Sequence, residues 1–205
     1  KPRVGASGLE APKPAKPATG LLDALPPAEN AQRTQIIGTL PTYEKAATIL
    51  KDTGVKGKTL DFGAGLGHGV KPLKADSYEP FPQKGFEPTY TDASAIPSNS
   101  YEKVTNFNVL NVVPRDVRDG IVKDIGRVLK KDGVALITTR GKDVMSALKS
   151  GKAGPEPMSV ITSRDTYQKG FTPTELKEYV QEILGKGYDV QTIKLGPAGV
   201  KIRKK

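Results

Sequence analysis

Four residues of this 205-residue chain combine type and spacing suited to holding a ligand: Asp61, Gly63, Gly65 and Gly67, with His68 directly after them. They close the short apolar run Thr59 to Phe62, which predicts a buried strand giving way to a tight turn. Glycines there let bare backbone approach a bound molecule. Two further carboxylates follow, Glu79 at 18 residues beyond Asp61 and then Asp92. The loop is not a dinucleotide fingerprint, which reads Gly-x-Gly-x-x-Gly. Counted from Gly63 the third glycine position is His68, and counted from Gly65 it is Val70.

Asp61 decides what chemistry the loop suits. A pyrophosphate wants N–H groups around it and is repelled by a neighbouring carboxylate. A cofactor without phosphate but with an ammonium group wants the opposite, and S-adenosylmethionine, an amino acid joined to a sulfonium, has that character. Glu79 then stands where a carboxylate accepts both ribose hydroxyls. Pro80 and Phe81 wall one adenine face, and Asp92-Ala93 meets the adenine amino group. Bland roles compete with each of these: a solvated strand end for Glu79, a turn residue for Asp92. His68 is a candidate base or a contact to the ligand's carboxylate, against a structural role at a helix start. Tyr43 either closes over the cofactor or simply packs its helix.

The elements that must position these residues alternate between strand and helix. Pro41 opens a helix that runs to Lys51 and stops at Gly54. Strands are predicted at Thr59 to Phe62, at Ser77 to Glu79, near Thr89-Tyr90 and from Tyr101 to Asn108. A helix spans Arg115 to Lys131, Asp132-Gly133 turns the chain, and Val134 to Thr139 is the clearest strand. A Gly/Lys/Pro-rich segment runs through Pro157. Thr172, Pro173 and Glu175 have capping-box spacing for a helix to about Leu184. Strands from Asp189 to Leu195 and Gly199 to Arg203 form a closing hairpin. Such alternation gives an α/β doubly wound sheet, whose ligands bind beyond the carboxyl ends of its strands.

Composition bounds the rest. Without cysteine there is no disulfide or thiolate metal site, and with one histidine an imidazole zinc site is not expected, so no metal is assigned. No apolar run reaches membrane-span length and no signal segment is visible, which predicts a cytoplasmic protein with no membrane partner. Residues 1–30 are Pro/Ala/Lys-rich and read as a linker or tail, in which Leu21, Leu22 and Leu25 form a docking turn. Residues 31–205 form the domain. The chain opens on Lys1 rather than Met, as a processed product or a piece of a larger polypeptide or assembly would. The net charge is +10, and residues 121–205 carry 17 basic against 9 acidic side chains. That basic part suits a nucleic-acid partner, or serves solubility alone.

Taken together these motifs resemble the class I S-adenosylmethionine-dependent methyltransferases. The resemblance rests on Asp61 to Gly67, Glu79, Asp92 to Pro97, Asn99 to Val104, Asn108 to Pro114, Gly126 to Gly133 and Phe171 to Leu176, and covers roughly residues 40–205. It implies a Rossmann-like doubly wound, mostly parallel seven-stranded sheet with a C-terminal antiparallel hairpin. It also implies a cofactor site at Asp61, Phe62, Gly63, Ala64, Gly65, Glu79, Pro80, Phe81, Asp92, Ala93 and Asn108. The catalytic candidates are Asn108, Asn111 and His68, with the alternative that the two asparagines only cap the strand end. Tyr167, Gln168, Lys169 and Phe171 shape the acceptor pocket or merely lead into a helix.

A narrower similarity, through Tyr78 to Phe81, Asn106 to Val113 and Tyr167 to Thr172, is to methyltransferases associated with DNA phosphorothioation and phage-borne relatives. It implies a DNA-modification or counter-defence setting, virion-associated if phage-encoded. Amino-methylating DNA enzymes carry Asn/Asp-Pro-Pro-Tyr/Phe after the fourth strand, whereas this chain reads Asn106-Phe107-Asn108-Val109. That departure argues against methylation of DNA base amines, and the lack of cysteine excludes cysteine-nucleophile cytosine chemistry. The competing class is a catalytically silent module of the same fold that binds nucleic acid or serves a larger assembly.

Overall fold

A computed structural model describes residues 30, 31, 33 and 40–205. All of segment 1–30 but Asn30, with Leu21, Leu22 and Leu25, lies outside the described residues. Helix α1 (Pro41–Asp52) starts on its proline and buries Tyr43, Ala46 and Leu50 at helical spacing. Strand β1 (Thr59–Phe62) is buried on both faces, as a central parallel strand must be. The glycine loop leads into α2 (Val70–Leu73), only four residues long. Then come β2 (Ala75–Tyr78), β3 (Tyr101–Phe107), α3 (Arg115–Val128) and β4 (Leu129–Thr139). A 3₁₀ segment, Lys142–Lys149, precedes β5 (Lys152–Ala153), β6 (Ser159–Ile161) and β7 (Tyr167–Lys169). Helix α4 (Pro173–Leu184) and the pair β8 (Tyr188–Thr192) and β9 (Ala198–Lys204) close the domain.

The main sheet runs β2-β1-β3-β4-β9-β8. Its first four strands are parallel, and β9 and β8 form the antiparallel hairpin. Helix α1 packs one face through Tyr43, Leu50, Phe107 and Leu136. Helices α3 and α4 cover the other through Val122, Ile125, Leu176 and Val180 against Leu60, Val104 and Ile137. The layers are therefore α/β/α, and the strand order reverses between β1 and β3.

Three expectations change. Among the described residues the main sheet has six strands, not seven. The strand expected near Thr89-Tyr90 is reduced to one parallel bridge between Tyr78 and Tyr90. Pro80, Pro82 and Pro88 lack the N–H groups a longer ladder requires. Second, α3 stops at Val128, because Leu129 is extended and wholly buried against Tyr101. The residues read as helix end and turn instead begin β4, whose register shifts opposite Tyr101 to Lys103. Third, the Gly/Lys/Pro-rich segment contributes β5, which pairs with the residues after Pro157 in an antiparallel sheet, β5-β6-β7.

The capping box is formed as the spacing predicts. Thr172 accepts from the Glu175 amide at 3.1 Å, and the Glu175 carboxylate accepts from the Thr172 amide. Thr172→Ala is expected to lower unfolding free energy by about 1 kcal/mol, read as an earlier midpoint in urea at unchanged slope.

Candidate active site

The turn after β1 is held open by its own backbone. The Gly63 and Ala64 amides both donate to the Tyr78 carbonyl, at 2.8 and 2.9 Å. Gly63, Gly65 and Gly67 all have positive φ, a region costly for side chains. A Cβ on Gly67 would sit 2.2 Å from the Phe86 ring, so the segment after β2 folds back onto the loop. With only four residues, α2 offers little aligned dipole for a phosphate.

Strand alternation turns Asp61 onto the α1 face, where it is fully buried. Thr105 donates to its Oδ1 at 2.8 Å, and Oδ2 has no partner in hydrogen-bond geometry. The Tyr43 ring and Asp61 Oδ2 flank the same point over Gly69. Burial pushes the Asp61 carboxyl up to about 6, the Thr105 and Tyr43 hydroxyls pull it back, and the Glu79 charge adds to the rise. Burial, then the Asp61 charge, pushes the Tyr43 hydroxyl well above its ordinary value.

Glu79 ties the end of β2 to the loop. Its Oε2 accepts from the Gly65 amide at 2.8 Å and its Oε1 from the Phe81 amide at 3.1 Å. Both oxygens are thus oriented, and each keeps a lone pair for a ligand hydroxyl.

Two cavities meet beyond the carboxyl ends of β1 and β3, sharing Gly63, Phe107, Asn108 and Val112. The first, about 310 Å³, is apolar, with Phe62, Tyr78, Phe81, Val109 and Ile121 in its walls and Glu79 as its carboxylate. The second, about 450 Å³, is polar, with Tyr43, His68, Asn111, Arg140 and Gln168. Arg33 lines both, donating to the Phe81 carbonyl with its guanidinium 5.4 Å from the Phe81 ring centre.

Of the residues singled out in the sequence, Phe62, Gly63, Glu79, Pro80, Phe81 and Asn108 line the apolar cavity. Gly63, Ala64, His68, Asn108 and Asn111 line the polar one. Asp61 and Gly65 line neither and stand behind this wall, Asp61 under Tyr43 and Gly69, Gly65 on Glu79. Asp92 and Ala93 lie outside both cavities. Asp92 caps the 3₁₀ turn Ala93–Ala95, accepting from the Ser94 amide and hydroxyl, and the Ala93 carbonyl accepts from Arg127. Gln168 faces the polar cavity, while Tyr167 and Lys169 turn away to Glu156 and Glu175. The sequence reading missed Arg140, at the end of β4; its only signal was its place at a strand's carboxyl end.

No family model matches the chain, and no curated protein matches it in sequence. Solved structures do. An S-adenosylmethionine-dependent methyltransferase of Thermotoga maritima is 17% identical with a TM-score of 0.55, over 81% of this chain and 88% of that one. The 1,6-didemethyltoxoflavin-N1-methyltransferase of Burkholderia thailandensis is 15% identical with a TM-score of 0.56, over 80% of this chain and 78% of its own. CalS10, an amino pentose methyltransferase of Micromonospora echinaspora, is 12% identical with a TM-score of 0.53, over 80% and 92%. This is the class I S-adenosylmethionine-dependent methyltransferase fold. At such identities the likeness is one of fold alone. In this fold the reversal between β1 and β3 is what brings Gly63 and Asn108 to a common wall. Among the described residues no helix is long and apolar enough to cross a membrane.

Proposed function

We propose that the protein is an S-adenosylmethionine-dependent methyltransferase. One observation carries the reading: an apolar cavity with an oriented carboxylate and a polar cavity meet at Gly63 and Asn108. A nucleoside joined to an amino acid has that same division. The apolar walls suit the adenine, and Glu79 suits the ribose hydroxyls. Gly63, Ala64 and the polar cavity suit the amino acid end. The buried Asp61 carboxylate, beneath Tyr43 and Gly69, adds negative charge beside the polar cavity that Tyr43 lines, which favours an ammonium group. The Burkholderia structure holds S-adenosylhomocysteine and the CalS10 structure S-adenosylmethionine, which supports the same cofactor here.

When bound, the cofactor supplies a methyl group already activated by its sulfonium. The chain's own residues orient the reactants and exclude water, a contribution of roughly 7–11 kcal/mol in well-aligned reactions. Asn108, Asn111 and His68 line the polar cavity, and in this reading the two asparagines would face the acceptor and His68 the amino acid end.

Calorimetry with S-adenosylhomocysteine tests the reading: micromolar binding is expected, and no binding overturns it. Glu79→Ala removes the ribose carboxylate and the brace on Gly65. It is expected to weaken that binding at least tenfold, about 1.4 kcal/mol, with the circular dichroism spectrum unchanged.

The basic residues 121–205 favour a second reading, a nucleic-acid-binding module in the DNA-modification setting that the motif resemblance implies. Duplex DNA binding that weakens steeply with salt, without methyl transfer to DNA, supports it, and salt-independent absence of binding removes it.

A further inference from the structure

The polar cavity has a far wall that the amino acid end of a cofactor at Gly63 and Ala64 does not explain. It is built by Asn111 from the loop after β3, Arg140 from the end of β4, and Gln168 from β7. Asn111 is 1% exposed and donates through Nδ2 to Gln168 Oε1 at 3.2 Å, while its Oδ1 has no hydrogen-bond partner. A buried amide oxygen in that state, on a cavity wall, is an acceptor open to a ligand N–H or O–H. Arg140 commits Nε, at 2.5 Å, and Nη2 to the Asp143 carboxylate, which fixes the guanidinium plane and leaves Nη1 for a ligand. Among the described residues, the lining of this cavity includes Arg33 and Arg140 and no Asp or Glu. Glu79 faces the other cavity, and Asp61 is sealed beneath Tyr43 and Gly69.

We propose that this wall is the acceptor subsite and that it takes a small acid, its carboxylate on Arg140 and its N–H or O–H group on Asn111 Oδ1. The inference rests on the methyltransferase reading and names the class of molecule that receives the methyl. Charge argues for it. On this wall a protonated amine would meet the Arg140 guanidinium, paired with Asp143 from outside, and no carboxylate of the lining, whereas an anion meets a donor. Size argues for it as well. The polar cavity is about 450 Å³ and also houses the amino acid end, so the remainder suits a small molecule rather than a stretch of polymer. Asp143 then orients Arg140 from outside the cavity, a positioning residue rather than a ligand contact.

The test uses three probes of one shape that differ in charge: 4-hydroxybenzoate, 4-hydroxybenzamide and 4-hydroxybenzylamine. Each is titrated by ligand-observed NMR into the whole chain, first shown by calorimetry to be saturated with S-adenosylhomocysteine. The acid is expected to bind at least tenfold tighter than the amide or the amine. Arg140→Gln, itself brought to saturation with S-adenosylhomocysteine, is expected to bring the acid down to the level of the amide. Raised salt should narrow the preference in the wild type. Equal binding of the three, preference for the amine, or binding of none overturns the proposal, as does an acid preference that survives Arg140→Gln. Failure of S-adenosylhomocysteine to bind in the first step overturns the methyltransferase reading itself, whereas its binding without an acid preference removes only the acceptor class.

Discussion

Asp61→Asn is expected to give a protein that is more stable at pH 7.5 and a poorer binder of S-adenosylhomocysteine. Burial raises the Asp61 carboxyl from 3.8 to about 6, so the native state holds a proton between those values that the unfolded chain has released. Stability therefore falls as pH rises through that interval, and above it the ionised carboxylate costs about 3 kcal/mol. Asparagine removes the titration but adds an N–H pair that needs acceptors, with Tyr43 beside it as one. The net gain at pH 7.5 is expected to be about 1–2 kcal/mol after that desolvation is offset. Urea unfolding from pH 4 to 8 reads it as a difference: wild-type minus variant stability declines up to about pH 6 and is flat above, because carboxylates held low, such as Glu156, titrate alike in both. A difference that stays level or rises over that range would show that Asp61 is not held up by burial. Calorimetry reads the other half, a loss of at least tenfold in affinity, because the variant no longer supplies negative charge behind the ammonium position.

Arg118→Met is expected to cost the most stability of any single substitution considered. Arg118 is 1% exposed. Its guanidinium donates to the Leu110 carbonyl at 2.9 Å and the Val113 carbonyl at 3.2 Å, and reaches Glu156 through both Nη atoms at 3.1 and 2.9 Å. It also lies 5.3 and 5.7 Å from the ring centres of Phe171 and Tyr179. Burial pushes the Glu156 carboxyl up, but Arg118 and the Tyr167 hydroxyl more than reverse this and hold it below the ordinary range. Methionine fills a similar volume and leaves two carbonyls and a carboxylate without their donor. The expected loss is about 3–5 kcal/mol, with Glu156→Gln costing less because it keeps a hydrogen-bonding partner for Arg118. Thermal unfolding of the two variants decides the order; equal losses would place the energy in the ion pair rather than in the carbonyls. Leu110 and Val113 flank Asn111, and Tyr167 precedes Gln168, so both sides of the Asn111–Gln168 pair hang on this one guanidinium.

The parts of the fold legible in the sequence are those fixed by local physics. Thr59 to Phe62 is an apolar run bounded by glycines, and the α4 cap needs only residues 172–175. The β5-β6-β7 sheet is illegible for the opposite reason. Its strands have two or three residues each, sit among glycines and prolines, and are fastened by Arg118 from 38 positions upstream of Glu156. Leu129 to Asp132 reads as a helix end until its pairing with Tyr101 is known. The site divides in the same way. Glycine spacing and Glu79 point to the cavities, because backbone freedom and a strand-end carboxylate have few other uses together. Asp92 suits a ligand or a turn from the sequence, and the structure shows it capping the turn at Ser94, outside both cavities. Arg140 carries no motif at all; it gains meaning from standing across a cavity from Asn111.

The shortened seventh strand sets where the domain breathes. Strand β2 has one full neighbour, β1, and beyond it only the bridge at Tyr90, through Glu79 N–H to the Tyr90 carbonyl at 3.0 Å and Tyr90 N–H to the Ser77 carbonyl at 2.9 Å. Glu79 and Phe81, which wall the apolar cavity, hang from this edge. Its amide protons are expected to exchange with deuterium well before those of β3 and β4, which are paired on both sides. S-adenosylhomocysteine at a hundred times its dissociation constant should add about 2.7 kcal/mol to that local opening, slowing exchange over residues 77–90 by about a hundredfold. The abundance of one small metabolite would then govern how often this border of the sheet comes undone.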